Sequence, residues 1–190
     1  MASIIAELRD KIRSLVGDFL KTDTEVFTYE NSGIFTLQEE NIQEVTEVTL
    51  NGSDLASGDY TFDTSNNKLT ITVSGLASGD IIEVIYTYYK YNNTEIDGYI
   101  KSALVWFSVF DASPKDFEIE NEDIFPTPDN QEEDMIALIA SIIIKPNYNE
   151  YRLPNLTVKY PRKFSKEEKI ERLLNRWTRG LGVNDTLDFN

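Results

Sequence analysis

The side chains best suited to chemistry in this chain are carboxylates. Residues 111–134 contain ten acidic residues and one lysine, and Glu118, Glu120, Glu122 and Asp123 offer the oxygen ligands that divalent cations such as Ca²⁺ prefer. No glycine stands in the middle of this stretch, so its spacing does not fit a calcium-binding EF-hand loop. We therefore expect a solvated acidic loop, and we predict neither a metal site nor a cofactor site.

The chain contains no histidine and no cysteine. Ser–His catalysis, thiol nucleophiles, disulfide bonds and zinc sites built from imidazole or thiolate are therefore excluded. A hydrolase with a pair of carboxylates is an enzyme class that remains, and it needs two acids facing each other across a cleft. Because the sequence indicates no such pair, we predict no catalytic residues and a protein that is not an enzyme.

A run of tyrosines, VIYTYYKY, raises the question of a stacking platform for a sugar or a single-stranded nucleic acid. Tyr86 and Tyr88 alternate with other residues, which is more typical of side chains packed within a sheet. The net charge of −15 also opposes binding to a phosphate backbone. We therefore expect these rings to pack within the fold.

Positive charge is concentrated near the C-terminus. Lys159 to Arg179 contains eight basic and three acidic residues in an otherwise acidic chain. Ser165 and Glu168 form a capping-box pattern that predicts a helix ending at Gly180. Its cations are either a docking element or the ordinary outer face of an amphipathic helix. The tail that follows, residues 181–190, has apolar residues without helical spacing, so it is either frayed or bound to a partner.

Hydrophobic periodicity places these residues on elements. Apolar residues at helical spacing predict a first helix over about residues 3–20, and its charges break the apolar core that a secretion signal needs. The period changes to two in the middle of the chain, which predicts antiparallel strands. The phrase LASGD occurs twice there, at Leu55–Asp59 and Leu76–Asp80. Each copy predicts a leucine under the sheet and a turn whose aspartate bonds back to the turn backbone.

The predicted fold class is therefore α+β, with a helical bundle of about four helices and an antiparallel β unit inserted after the first helix. The predicted helical domain comprises residues 1–25 and 92–180, and the inserted β domain comprises residues 26–91. Residues 181–190 are predicted to form an extended C-terminal tail. No apolar run approaches the roughly 20 residues of a transmembrane helix, so no membrane span is predicted.

Three stretches together carry a resemblance to a known family. The first is the β block, VTLNGSDLASGDYTFD and NNKLTITVSGLASGDIIEVIYTYYKY. The second is YNNTEIDGYIKSALVWFS, where this block passes into a helix with small and aromatic residues on one face. The third is the final helix and the start of the tail, SKEEKIERLLNRWTRGLG. In this layout the chain resembles the head–tail connector (adaptor) proteins of tailed bacteriophages.

The resemblance implies a structural protein of the virion neck, assembled in the cytoplasm of the host bacterium. It implies a homo-oligomeric ring of about twelve copies beneath the portal protein, around a channel that genomic DNA crosses without specific binding. The next neck or tail protein is a further implied partner, and a membrane is not. In such adaptors the C-terminal helix and tail reach the portal. The portal-facing candidates are therefore Lys166, Lys169, Arg172, Arg176, Trp177, Arg179, Leu181, Val183, Leu187 and Phe189.

Two other functions stay open at this point. One is another phage neck protein, either a stopper or a tail-completion protein, and a stopper is expected to be mostly β. The other is a surface module that uses the β unit to bind a carbohydrate, although the N-terminus lacks the pattern of a secretion signal.

Overall fold

The fold divides the chain into two units, one inserted into the other in sequence. The terminal unit combines Met1–Asp18 with Asn93–Asn190, and the inserted unit is Phe19–Asn92. The structure is a computed structural model. The residues that it describes are 3–110, 112–113, 115–120, 123–154, 156–161, 163–179 and 186–189.

Two antiparallel sheets form the inserted unit. Its strands are β1 (Lys21–Thr28), β2 (Ile34–Thr36), β3 (Ile42–Leu50), β4 (Ser53–Asp54), β5 (Tyr60–Asp63), β6 (Lys68–Ile71) and β7 (Ile81–Tyr88). One sheet has the order β1-β7-β3-β4 and the other has the order β2-β6-β5. Ile82, Val84 and Tyr86 of β7 enter a core that also contains Leu69 and Ile71 of β6. The period of two therefore identifies the inward face of β7 correctly.

The two LASGD phrases form equivalent turns. The carboxylate of Asp59 accepts a hydrogen bond from the backbone N–H of Ala56 at 3.1 Å, and that of Asp80 accepts one from Ala77 at 2.8 Å. In each turn the leucine packs against the core of the inserted unit. Both features agree with the prediction, because a carboxylate three residues after a free N–H closes a turn locally.

Four helices lie in the described part of the terminal unit. They are α1 (Ile4–Val16), α2 (Asn93–Val109), α3 (Asn130–Ile144) and α4 (Lys166–Trp177). Helix α1 ends four residues earlier than its apolar spacing predicts, because Gly17 adopts φ +67° and the N–H of Asp18 bonds to the carbonyl of Arg13. None of the helices in the described ranges is long and apolar enough to cross a lipid bilayer.

Helix α3 is the centre of the terminal unit. Every residue from Met135 to Ile142 is buried, including the small polar Ser141, whose hydroxyl donates to the carbonyl of Ala137. Helices α1, α2 and α4 each pack against α3. A capping box formed by Asp129 and Glu132 begins this helix.

The predicted fold class, a helical bundle with one inserted β unit, is wrong, because the terminal unit also contains strands. Two of them, β8 (Glu118–Glu120) and β9 (Asp123–Phe125), form an antiparallel pair. Three more, β10 (Glu150–Leu153), β11 (Leu156–Lys159) and β12 (Thr186–Asp188), form a second sheet. The described residues therefore form a mixed α+β fold, with strands in both units and helices in the terminal unit. The strands of the terminal unit have three or four residues each, which is too short for a period of two to stand out.

A buried ion pair joins the end of α1 to the start of α2. The guanidinium of Arg13 is paired with the carboxylate of Asp18, and both side chains are almost completely buried. Arg13 also donates to the side-chain oxygen of Asn93 at 3.0 Å. When one member of a buried ion pair is removed, the charge of the other member is no longer compensated by it.

We therefore predict that Asp18→Asn destabilises the protein by about 3–5 kcal/mol, because Arg13 loses its counter-charge in a buried site. Urea unfolding monitored by circular dichroism measures this change. Asp10→Asn is the matched control, since Asp10 is exposed on α1 and its change should alter stability by less than about 0.5 kcal/mol. Equal stabilities of the two variants would show that the Arg13–Asp18 pair contributes nothing.

Candidate partner-binding surface

Helix α4 has two faces of opposite character. Ser165 accepts from the N–H of Glu168 at 3.2 Å, and the carboxylate of Glu168 accepts from the N–H of Ser165 at 2.8 Å. This capping box begins the helix as predicted. Ile170, Leu173 and Leu174 are fully buried, whereas the opposite side of the helix is exposed. Packing of the apolar face therefore fixes which cations of α4 a partner can reach.

Lys169 is not among the accessible cations, although its charge suggested a partner contact. Its side chain is 1 % exposed. The ammonium donates to the backbone carbonyls of Pro146 and Tyr148, the second at 2.8 Å. Burial lowers the pKa of Lys169 from its ordinary value. Lys169 therefore ties the segment after α3 to α4 and is removed from the candidate interface.

The C-terminal tail is a strand in its described part. Strand β12 runs parallel to β11, and Leu187 is buried opposite Val158. Phe189 stacks on Tyr160 with a centroid distance of 5.1 Å and an angle of 10° between the rings. Leu187 is thus part of the core, while half-buried Phe189 is held with one ring face covered. Leu181 and Val183 of the predicted surface lie outside the described residues.

Tyr160 holds this region together. Its hydroxyl donates to the carbonyl of Lys169 at 3.0 Å, and the ammonium of Lys169 lies 5.6 Å from the centre of its ring. The ring also meets Tyr151 edge-on. Burial, with Tyr151 as a second cause, raises the pKa of Tyr160 well above its usual range. One buried ring therefore connects β10, the tail strand β12 and α4.

The two other predicted interface residues on α4, Lys166 and Trp177, lie at opposite ends of the helix and differ in their contacts. The indole N–H of Trp177 donates to the carbonyl of Ala112 at 2.7 Å, and its ring lies near Phe107 of α2. Trp177 is therefore a half-buried contact within the terminal unit. Lys166 is half-exposed at the start of the helix, where its ammonium lies 3.5 Å from the carboxylate of Glu167.

The accessible cations line a groove beside the tail strand. Arg172, Asn175 and Arg176 lie on the exposed face of α4, Arg179 follows its last turn, and Phe189 lies across from them. The groove has a volume of about 280 Å³. We call these five residues the arginine groove. It brings together four of the ten predicted portal-facing residues, Arg172, Arg176, Arg179 and Phe189. It also contains Asn175, which was not predicted because it carries no charge.

The groove cations have no carboxylate within ion-pair distance among the residues that the structure describes. The guanidinium of Arg172 lies over the ring of Phe164, with 4.1 Å between its central carbon and the ring centre. Such stacking occupies the face of the guanidinium and leaves its edge N–H groups free to donate. The surface is therefore suited to an anionic partner.

The acidic stretch does not form the open loop that its composition suggests. Glu132 accepts from Ser113 and Lys115, each at 2.6 Å, and Lys11 binds Glu133 and Asp134. Of the earlier metal-ligand candidates, Glu118 and Glu120 lie on β8, Asp123 lies on β9, and Glu122 is outside the described residues. Across the described ranges, no group of three or more acidic side chains could hold a metal ion.

The inserted unit contains a second pocket, of about 440 Å³. Tyr86 takes no part in it, because its ring is buried and its hydroxyl donates to Glu25. Burial, followed by Glu25, raises the pKa of Tyr86 well above its usual range. The alternating tyrosines are thus split between core and surface and form no common platform. The pocket is lined by Lys21, Gln38, Glu39, Glu40, Tyr88, Tyr89 and Lys90.

We predict that Lys169→Met destabilises the protein by about 1–3 kcal/mol, since two partly buried hydrogen bonds from a charged donor to backbone carbonyls are lost. Chemical unfolding monitored by tryptophan fluorescence measures the change. Lys166→Met removes the same charge from a half-exposed position of the same helix and should cost less than about 0.5 kcal/mol. A neutral result for Lys169→Met would mean that water satisfies both carbonyls.

We also predict a loss of stability in alkali that Tyr160 helps to cause. The pKa of Tyr160 is raised above the ordinary 10.0, so folding favours the neutral phenol. Its contribution is complete below pH 10 and is lost as the pH rises towards the folded-state pKa, at up to about 1.4 kcal/mol per pH unit. Unfolding free energies measured on both sides of pH 10 should decline less steeply for Tyr160→Phe than for the wild type. Equal slopes would exclude this role for Tyr160.

No protein-family model matches this chain, and the search of curated proteins finds no matching sequence. Its role must therefore be argued from its own residues. The arrangement found among the described residues is a charged groove on a well-anchored helix. Such a surface can bind an anionic group, and it offers neither a nucleophile beside a base nor an acid pair facing a cleft.

Proposed function

We propose that this protein is a structural subunit of a phage neck, a head–tail adaptor that forms a ring beneath the portal and links capsid to tail. The observation that carries the proposal is the arginine groove, an exposed cationic surface on the C-terminal helix of a strongly acidic chain. The sequence resemblance assigns that same helix to contact with the portal. The proposal assigns no catalysis to the chain.

The packing beneath the groove supports a docking role. Lys169 and Tyr160 fix α4 to the strands beside it, and Phe189 is held against Tyr160. A surface that is rigid before binding loses less conformational entropy when a partner docks. The groove is therefore preorganised, and its cations are presented by a helix whose other face is buried.

The mechanism is geometric. Each subunit would offer one groove, and closure of a ring would place identical grooves around the channel. A contact that is weak in a single subunit becomes strong when many copies engage the same partner ring together. The inserted unit enters the chain between α1 and α2, so it does not interrupt the stretch of sequence that forms the groove.

The charge of the chain suits a neck protein through which DNA passes. With a net charge of −15, the subunit as a whole repels the phosphate backbone. The DNA would then cross the ring without being retained by it. The arginine groove would bind a protein partner and not DNA.

The experiment is co-assembly with the portal protein of the same phage. The wild-type chain should add a ring to purified portal particles, as seen by electron microscopy. Arg176→Glu should weaken this attachment about ten-fold or more, because a donor to an anionic partner becomes a repelling carboxylate. Arg152→Glu is the control, since Arg152 is exposed outside the groove and bonds to Glu150.

Two results would contradict the adaptor assignment. Wild-type chain that leaves intact portal particles bare would exclude portal docking. Wild-type chain that binds the purified tail protein but not the portal would place it lower in the neck, as a stopper or tail-completion protein.

A further inference from the structure

We propose that the arginine groove is a carboxylate-binding site that takes an acidic peptide segment. That the segment belongs to the portal protein rests on the function proposed above. That the ligand is a carboxylate rests on the pairing, stacking and position of the groove side chains.

Three arginines outside the groove are paired with carboxylates. Arg9 binds Asp97 at 2.6 Å, Arg13 is paired with Asp18, and Arg152 binds Glu150 at 2.8 Å. The groove arginines have no such carboxylate among the described residues. The chain has 33 acidic residues against 18 basic ones, so internal partners are abundant. Within the described residues, no internal carboxylate occupies the donors of the groove arginines.

Arg172 of the groove contacts an aromatic ring. Its guanidinium lies over the ring of Phe164, and this cation–π contact favours that position of the head group before any ligand arrives. A guanidinium that donates from its edge matches the two oxygens of a carboxylate. Arg176 follows one turn later, and Arg179 lies beyond the last turn of the same helix. The three donors therefore follow one another along the groove and suit a segment with carboxylates at intervals.

The two other lining residues suit a peptide. Asn175 carries an amide that can donate to and accept from a peptide backbone. Phe189 provides an apolar surface, and its position is set by stacking on Tyr160. The volume of about 280 Å³ is at the lower end of the range for ligand pockets. It fits a few side chains of an extended segment better than the edge of a folded domain.

The helix dipole does not explain all three arginines. Arg176 lies in the last turn of α4, where the free carbonyls favour a cation, and Arg179 lies just beyond it. Arg172 is in the middle of the helix, where the effect of the dipole fades. Its head lies over Phe164 and not at the helix end. A ligand-binding role accounts for the three together.

An acidic peptide is favoured over nucleic acid by the charge of the rest of the chain. A DNA strand extends well beyond the groove and meets a protein with a net charge of −15. A short peptide responds mainly to charges within the Debye length, about 8 Å at physiological salt. The described lining of the groove contains three arginines and no carboxylate.

The test is fluorescence anisotropy with the full chain and a capped, fluorescein-labelled peptide of alternating glutamate and serine. A peptide with glutamine in place of glutamate and a labelled DNA duplex serve as comparison probes. The acidic peptide should bind and the glutamine peptide should not. Arg172→Gln and Arg176→Gln should each weaken binding about ten-fold, which corresponds to the loss of one charge-assisted hydrogen bond. Arg152→Gln, with the same change in net charge, should leave binding unchanged.

Several results would overturn the inference. They are failure of the wild-type chain to bind the acidic peptide, equal binding by wild type and the groove variants, and tighter binding of the DNA duplex. The last result would assign the groove to nucleic acid. Circular dichroism of each variant checks that its fold is intact.

The outcome is separable from that of the proposed function. Peptide binding without a portal complex would overturn the adaptor assignment and support the carboxylate site. A portal complex that tolerates both groove variants, together with no peptide binding, would overturn the carboxylate site alone.

Discussion

Helix α3 is apolar on every side, and the arrangement of the terminal unit depends on covering it. An exposed helix needs one apolar stripe, whereas a helix that is apolar all round must be enclosed. Met135 to Ile142 are all buried, and α1, α2 and α4 provide the cover. Helix α1 comes from the start of the chain, more than a hundred residues earlier. The intervening Phe19–Asn92 folds as a unit with a core of its own.

The same requirement orients α4 and so creates the candidate surface. Leu173 and Leu174 are drawn into the core, which leaves Arg172 and Arg176 on the outside. Lys169 is carried inward with the leucines, and its cost of burial is offset by donation to two carbonyls. The groove is thus a consequence of core packing. Among the described residues, no carboxylate forms an ion pair with the arginines of this groove.

The candidate site could be predicted only in part. The capping box and the cluster of basic residues indicate α4, and the structure places Arg172, Arg176 and Arg179 beside Phe189 in one groove. Lys169, another residue of the predicted set, is buried. Lys169 precedes Leu173 by four residues, so the two side chains lie on the same, buried face of the helix. The positive charge of Lys169 led to the opposite prediction, that it is exposed. Asn175 was missed because an uncharged polar residue on an exposed face looks like any other.

The sequence by itself determined the long amphipathic elements, the turns at the LASGD phrases and the exclusion of histidine and cysteine chemistry. These follow from local spacing and from residue types, which need no knowledge of distant contacts. Only the tertiary structure decided that β12 adds to β11, that Leu187 is buried, and that the tail strand forms one side of the arginine groove. Strands this short gain their stability from partners far away in the chain, so the pattern within each segment does not contain that information.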